Sequence, residues 1–168
     1  MNQTLKVLTE NKIIAILRRL REEDIYPIVD ALVKGNTRII EITADTENII
    51  SVIKNLKKTY NTKLTIGVGT VLSPDLIESY TKAGASFILS PNVNASVIKR
   101  TKELGVISIP GAFTPSEIVD AHGYGADIVK LFPANRFGPS YLKDIQAPLP
   151  HIPLLPTGGI DETNIAQN

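Results

Sequence analysis

The sequence predicts an α/β fold of the (β/α)8 TIM-barrel class, here ending after strand seven. Three observations carry that prediction. Short apolar runs rich in Ile, Val and Leu begin every 19 to 26 residues, polar segments with helical apolar spacing lie between them, and no Gly-rich dinucleotide fingerprint opens the first helix. The first two fit either a barrel or a doubly wound sheet, and the third favours the barrel.

In chain order the runs are IIAIL at 13–17, RIIEIT at 38–43, LTIGVG at 64–69, FILS at 87–90, VISIP at 106–110, DIVKLF at 127–132 and IPLLP at 152–156. They are short, rich in β-branched residues and punctuated by Gly, Pro and Asn, which suits buried parallel strands better than helices. Residues 22–34 place Ile25, Ile28, Val29, Leu32 and Val33 on one helical stripe, and residues 46–58 do the same with Ile49, Ile50, Ile53 and Leu56. Ser73 before Pro74 and Asp75 signals a further helix start, as does Thr114 before Pro115 with Glu117 three positions on. The last run is followed by PTGGI and then DETNIAQN, where a seventh helix would begin. A complete barrel takes about 200 residues or more. The expectation is therefore one barrel domain over 1–168, C-terminally incomplete, with open strand edges unless another element closes it.

Composition narrows the function. With 43% hydrophobic and 21% charged residues, the chain can fill one core. Its 18 basic and 17 acidic side chains leave a formal charge of +1, which points away from nucleic acid and anionic membranes and toward a small-molecule partner. The absence of cysteine excludes disulfide and thiolate chemistry, and two histidines without ligand-like spacing argue against a His-based metal site. No segment approaches the roughly 20 apolar residues of a membrane span, so a cytoplasmic location is expected.

Alternation along the strands places Ile14, Ile16 and Arg18 on one face of the first run and Ile39, Glu41 and Thr43 on one face of the second. In the third run it groups Ile66, Val68 and Thr70, and in the sixth Ile128, Lys130 and Phe132. Arg18, Glu41, Thr70 and Lys130 thus fall near carboxyl ends of strands, on faces that can point inward. That rim is where barrel active sites assemble.

Lys130, flanked by Val129 and Leu131, would be partly desolvated, which lowers its pKa and supplies a neutral amine able to attack a ketone. The protonated Schiff base so formed is an electron sink for carbon-carbon cleavage. A lysine that snorkels its charge to solvent fits the same position. Glu41 in an apolar strand is costly unless paired or protonated, so it is either a proton shuttle facing Lys130 or a structural ion pair with Lys130 or Arg18. Arg18 offers a planar fork for a carboxylate, or is one more solvated member of Arg18, Arg19 and Arg21. Thr70 adds a hydroxyl beside Gly67 and Gly69, or caps a helix or simply packs at the strand end. Gly158 and Gly159 can bring backbone N–H groups to a phosphate near a helix start at Asp161, or form a tight turn.

Taken together, AILR at 15–18, EIT at 41–43, GVGTVL at 67–72, GASFILSPN at 84–92, IPGAFTPSE at 109–117, VKLFPA at 129–134 and PTGGI at 156–160 resemble the 2-keto-3-deoxy-6-phosphogluconate and 4-hydroxy-2-oxoglutarate aldolases. The resemblance spans almost the whole chain. It implies a class I aldolase that cleaves a 2-keto-3-deoxy sugar acid, 6-phosphorylated, to pyruvate and an aldehyde such as glyceraldehyde 3-phosphate. By the same resemblance Lys130 is the Schiff-base lysine, Glu41 the general acid/base and Thr70 a contact of the pyruvate carboxylate. Pro91 and Phe132 line the pocket, Gly158 and Gly159 form the first part of a phosphate site, no metal or other cofactor is required, and the assembly is a homotrimer. Two departures stand out. Many members carry arginine four residues after the glutamate, where this chain has Asp45. An acid cannot bind a carboxylate, which moves that role to Arg18, as in the 6-phosphogalactonate branch that AILR and FGP at 137–139 resemble. The second departure is the family's eighth strand with its Gly-Ser phosphate contact, which has no counterpart before Asn168.

Three functions compete: this aldolase, an inactive or merely ligand-binding remnant of it, and another phosphate-binding barrel such as a sugar-phosphate epimerase. Only the first needs a Schiff-base lysine.

Overall fold

The computed structural model describes residues 2–161 and 163–165. Residue 162 and residues 166–168, where the expectation of a barrel ending after strand seven falls, lie outside the described residues. Seven strands, β1 (Ala15–Leu17), β2 (Ile39–Thr43), β3 (Thr65–Gly69), β4 (Phe87–Ser90), β5 (Ile107–Ala112), β6 (Val129–Leu131) and β7 (Leu154–Pro156), pair in chain order. Every pairing is parallel. The curled sheet with alternating helices is the (β/α) barrel that the sequence predicts.

The helices are α1 (Gln3–Asn11), α2 (Glu22–Lys34), α3 (Ile49–Tyr60), α4 (Ile77–Ala83), α5 (Ala95–Glu103), α6 (Pro115–Gly123) and α7 (Gly138–Gln146). The stripe read over 22–34 is α2, with Ile25 and Val29 buried; that over 46–58 forms three residues later, as α3, after Asn48 adopts a left-handed conformation. Thr114 and Glu117 close the capping box at the start of α6. Ser73 caps no helix. Its hydroxyl bonds the Asp75 carboxylate and accepts the Asp75 N–H at 3.2 Å, a local turn that delays α4 to Ile77. Asp161 accepts bonds from Thr163 and, through its carbonyl, from the Ile165 N–H at 2.9 Å, which is the first turn signalled after the glycines.

Helix α1 carries no periodic signal in the sequence, because only Leu5, Val7 and Leu8 stand out in a short polar stretch. The Asn2 side chain caps it. Leu8 is buried with Ile39, Phe87, Leu89, Ile107, Ile109 and Ile128, with Leu5 and Val7 partly buried against the same cluster. These are inward-facing side chains, several of them the first residues of their strands, so α1 plugs the amino-terminal end of the barrel and leaves the carboxyl end for chemistry. Each such aliphatic side chain taken out of water contributes about 1.5–3 kcal/mol. The other strand faces pack on the helices: Leu17, Ile40, Ile42, Ile66, Val68 and Ile88 in one cluster, Ala112, Val129 and Leu131 in another.

This partition corrects one phase. Ile66 and Val68 face the helices, so the inward positions of β3 are Thr65, Gly67 and Gly69. An alternating apolar pattern cannot be phased when one face carries glycine, since the buried aliphatic side chains then mark the helix side. The other phases stand: Ile14, Ile39, Glu41, Ile128 and Lys130 are inward, with Ala15, Leu17, Ile40, Ile42, Val129 and Leu131 outward.

Candidate active site

Lys130 and Glu41 are both buried, at 5% and 1% exposure, on inward faces of β6 and β2. Neither takes part in an ion pair within 4.0 Å among the described residues. The Glu41 Oε1 atom has no hydrogen-bond partner among the described residues. This contradicts a contact ion pair as the reason for burying the carboxylate. Burial pushes the Glu41 carboxyl above its ordinary value, and the positive charges of Lys130 and Arg18 only partly offset it. Burial lowers the Lys130 amine below its ordinary value, the Arg18 charge works in the same direction, and Glu41 opposes both. The Phe132 ring covers the amine, with Nζ 4.9 Å from the ring centroid.

A buried acid with a raised pKa and a buried amine with a lowered one have had their proton affinities brought closer together, which favours proton exchange between them. The pair is unlike the snorkelled lysine that sequence alone allowed.

Arg18 stands apart from its basic neighbours. Arg19 lies 3.6 Å from Asp45, and Arg21 contacts Glu23 and Asp24. Arg18 instead donates to the Thr70 hydroxyl at 3.1 Å, with no carboxylate in contact among the described residues. Thr70 reaches it because its backbone is left-handed (φ 59°), which re-aims a side chain just beyond the end of β3. Asp45, where the resemblance leads one to expect an arginine, lies 3.6 Å from Arg19. A guanidinium held by a hydroxyl and free of a carboxylate is a ready anion site.

Pro91 follows β4, and Gly111 of β5, which pairs with Lys130, faces its backbone: a Cβ on Gly111 would lie 2.5 Å from the Pro91 carbonyl. The Phe132 ring in turn lies against Gly158, where a Cβ would be 3.2 Å away. Gly158 and Gly159 are both left-handed, at φ 95° and 70°. Their carbonyls are taken by the Asn135 N–H at 3.1 Å and the Asn164 side chain at 2.8 Å. The N–H groups of Gly158, Gly159 and Ile160 donate to no protein acceptor among the described residues. Three successive N–H groups without a protein acceptor, in a turn at the end of a barrel strand, are available to an anion such as a phosphate. The Asn135 side chain, which sequence reasoning did not single out, packs where a Gly159 Cβ would be, with Nδ2 at 2.1 Å.

A cleft of about 370 Å³ runs between β1 and β7 and is lined by Ile14, Ile16, Glu41, Leu155, Gly158 and Gly159 among others. Lys130, Arg18, Thr70, Pro91 and Phe132 are not among its walls, so of the sequence-predicted site residues it touches Glu41, Gly158 and Gly159. No group of three or more His, Asp or Glu side chains able to hold a metal occurs among the described residues, and no described helix is long and apolar enough to cross a membrane.

Comparison with known proteins agrees with the fold. A 2-dehydro-3-deoxy-phosphogluconate aldolase of Pseudomonas aeruginosa is 37% identical over 158 residues, covering 94% of this chain and 71% of the relative. A 2-dehydro-3-deoxy-6-phosphogalactonate aldolase of Escherichia coli is 32% identical over 160 residues, covering 95% and 78%. The solved KDPG aldolase of Legionella pneumophila, with pyruvate captured as a covalent carbinolamine, superposes with a TM-score of 0.90 at 29% identity, covering 99% of this chain and 81% of that one. The sequence model of the KDPG and KHG aldolases matches residues 5–168, and the chain belongs to that family.

Proposed function

We propose that the protein is a class I aldolase that cleaves a 6-phosphorylated 2-keto-3-deoxy sugar acid to pyruvate and an aldehyde. The observation that carries this reading is the buried Lys130 amine, pKa lowered, sharing the barrel interior with an unpaired Glu41 carboxyl. The neutral amine adds to the C2 ketone, and the resulting carbinolamine loses water to become an iminium. Removal of the C4 hydroxyl proton then breaks the C3–C4 bond, its electron pair moving to C3 and into the iminium as an enamine. The aldehyde leaves, C3 takes a proton, and water releases pyruvate and restores Lys130. Glu41 is the group that moves these protons, alternately as acid and base. Arg18 and Thr70 hold the carboxylate, Pro91 and Phe132 line the pocket, and Gly158 and Gly159 take the phosphate. The mechanism draws its electron sink from the lysine iminium, so the reaction uses no cofactor.

Borohydride reduction in the presence of pyruvate tests the reading directly. Mass spectrometry of peptides should find the adduct on Lys130, and absence of an adduct together with absence of pyruvate release would overturn it. Turnover of gluconate- and galactonate-configured substrates, each with and without the phosphate, fixes the specificity that the two named relatives divide between them.

The assignment of the carboxylate to Arg18 has its own test. Arg18→Ala is expected to raise KM about ten- to hundredfold, equivalent to the roughly 1.5–3 kcal/mol of a hydrogen bond to a charged group, with a smaller change in kcat. An unchanged KM would move the carboxylate elsewhere.

The reading includes a cytoplasmic homotrimer. Leu72 and Leu76, 59% and 52% exposed in one loop after β3, offer apolar surface for self-association. Sedimentation equilibrium should return three times the chain mass, and Leu72→Asp should reduce it; a monomer at micromolar concentration would remove the trimer from the proposal.

A further inference from the structure

Gly67 and Gly69 occupy alternate, inward positions of β3, and neither has a positive φ. Their backbone conformation is open to any residue, so what each supplies is room. A Cβ on Gly67 would lie 2.1 Å from the Phe87 ring. On Gly69 the three nearest atoms would all belong to Glu41: Oε1 at 1.7 Å, Cδ at 2.3 Å and Cγ at 2.7 Å. The register pairs Glu41 with Gly67 and Thr43 with Gly69. Glu41 therefore crosses diagonally to the neighbouring strand, and its carboxyl rests over the residue two positions nearer the rim. The backbone has little freedom to relieve a methyl group there. The Gly69 carbonyl accepts the Ala44 N–H at 2.8 Å, and β2 and β3 are paired over all five residues of each.

We propose that Gly69 is a positioning residue for the proton-transferring carboxyl: its missing side chain is the seat in which Glu41 extends toward the rim, with Oε1 buried and unpartnered among the described residues. A methyl at residue 69 evicts the Glu41 side chain, because all three overlaps are closer than non-bonded atoms approach. The carboxyl then leaves the geometry in which it serves Lys130. The consequence for turnover rests on the aldolase reading; the seat itself does not.

A double-mutant cycle decides it, with wild type, Gly69→Ala, Glu41→Ala and the double variant compared by thermal melting, pyruvate release and the pH dependence of kcat. Gly69→Ala is expected to lower kcat by about 10²-fold or more, the usual weight of a general acid/base, and to lower or erase the acidic limb of the pH profile. In the Glu41→Ala background the same substitution should change kcat and Tm little, within about twofold in rate, since its clash partner is gone. If Gly69→Ala fails to fold while the double variant melts like Glu41→Ala, the rescue supports the seat equally. The proposal is overturned by wild-type turnover in Gly69→Ala, by equal losses in both backgrounds, or by a double variant that does not fold where Glu41→Ala does. Should the wild-type chain release no pyruvate, the aldolase reading fails while the melting cycle still tests the seat.

Discussion

Lys130→Met is expected to abolish both borohydride trapping with pyruvate and aldol cleavage, while far-ultraviolet circular dichroism stays that of the wild type. The substitution removes the nucleophile outright and keeps most of its volume in a site where the side chain is 5% exposed, so the packing of β6 against β5 and β7 has little reason to change. It also removes an amine whose burial disfavours its charge. Because the folded pKa lies below the ordinary 10.5, the unfolded chain binds more protons in the window between the two. Stability therefore rises with pH across that window in the wild type, and the Met variant, which does not titrate there, should melt at least as high at neutral pH. Adduct formation by the wild type should accelerate with pH through an apparent pKa below 10.5. Trapping retained in the Met variant would place the nucleophile on another lysine.

For Glu41→Gln the expected loss is about 10²- to 10⁴-fold in kcat, with a smaller effect on pyruvate binding, since shape is kept and only the exchangeable proton is lost. The linkage has the opposite sign to that of Lys130. A carboxyl raised above its ordinary 4.5 is protonated more readily in the folded chain, so its stabilising contribution is complete below 4.5 and is lost as pH rises through the folded pKa. Glutamine does not titrate, and the Tm of the variant relative to wild type should climb as the pH passes upward through that range. Unchanged turnover would make Glu41 a structural residue; a relative Tm that falls with pH would contradict the raised pKa.

Much of the site is legible in the amino-acid sequence. The apolar runs locate all seven strands, because a buried parallel strand must be nearly continuous in Ile, Val and Leu. Ionisable residues inside such runs, Glu41 and Lys130, are conspicuous for their cost, and alternation puts both on the inward face. The family motifs then attach roles to Arg18, Thr70, Pro91, Phe132, Gly158 and Gly159, and the family match bears out the resemblance from which those roles come.

What the sequence by itself determined was thus the order of elements, the type of fold and the residues whose chemistry is out of place in an apolar run. Tertiary structure decided the rest. It turned β3 over, since Gly67 and Gly69 leave Ile66 and Val68 to mark the helix side, and it brought Thr70 to Arg18 through a left-handed residue that no periodicity encodes. It added α1 as a plug held by Leu8, a helix stabilised by the barrel end it covers more than by its own propensity. And it showed that Glu41 is unpaired among the described residues and lies over Gly69, a contact between residues 28 positions apart that depends on where a side chain of one strand crosses the backbone of the next.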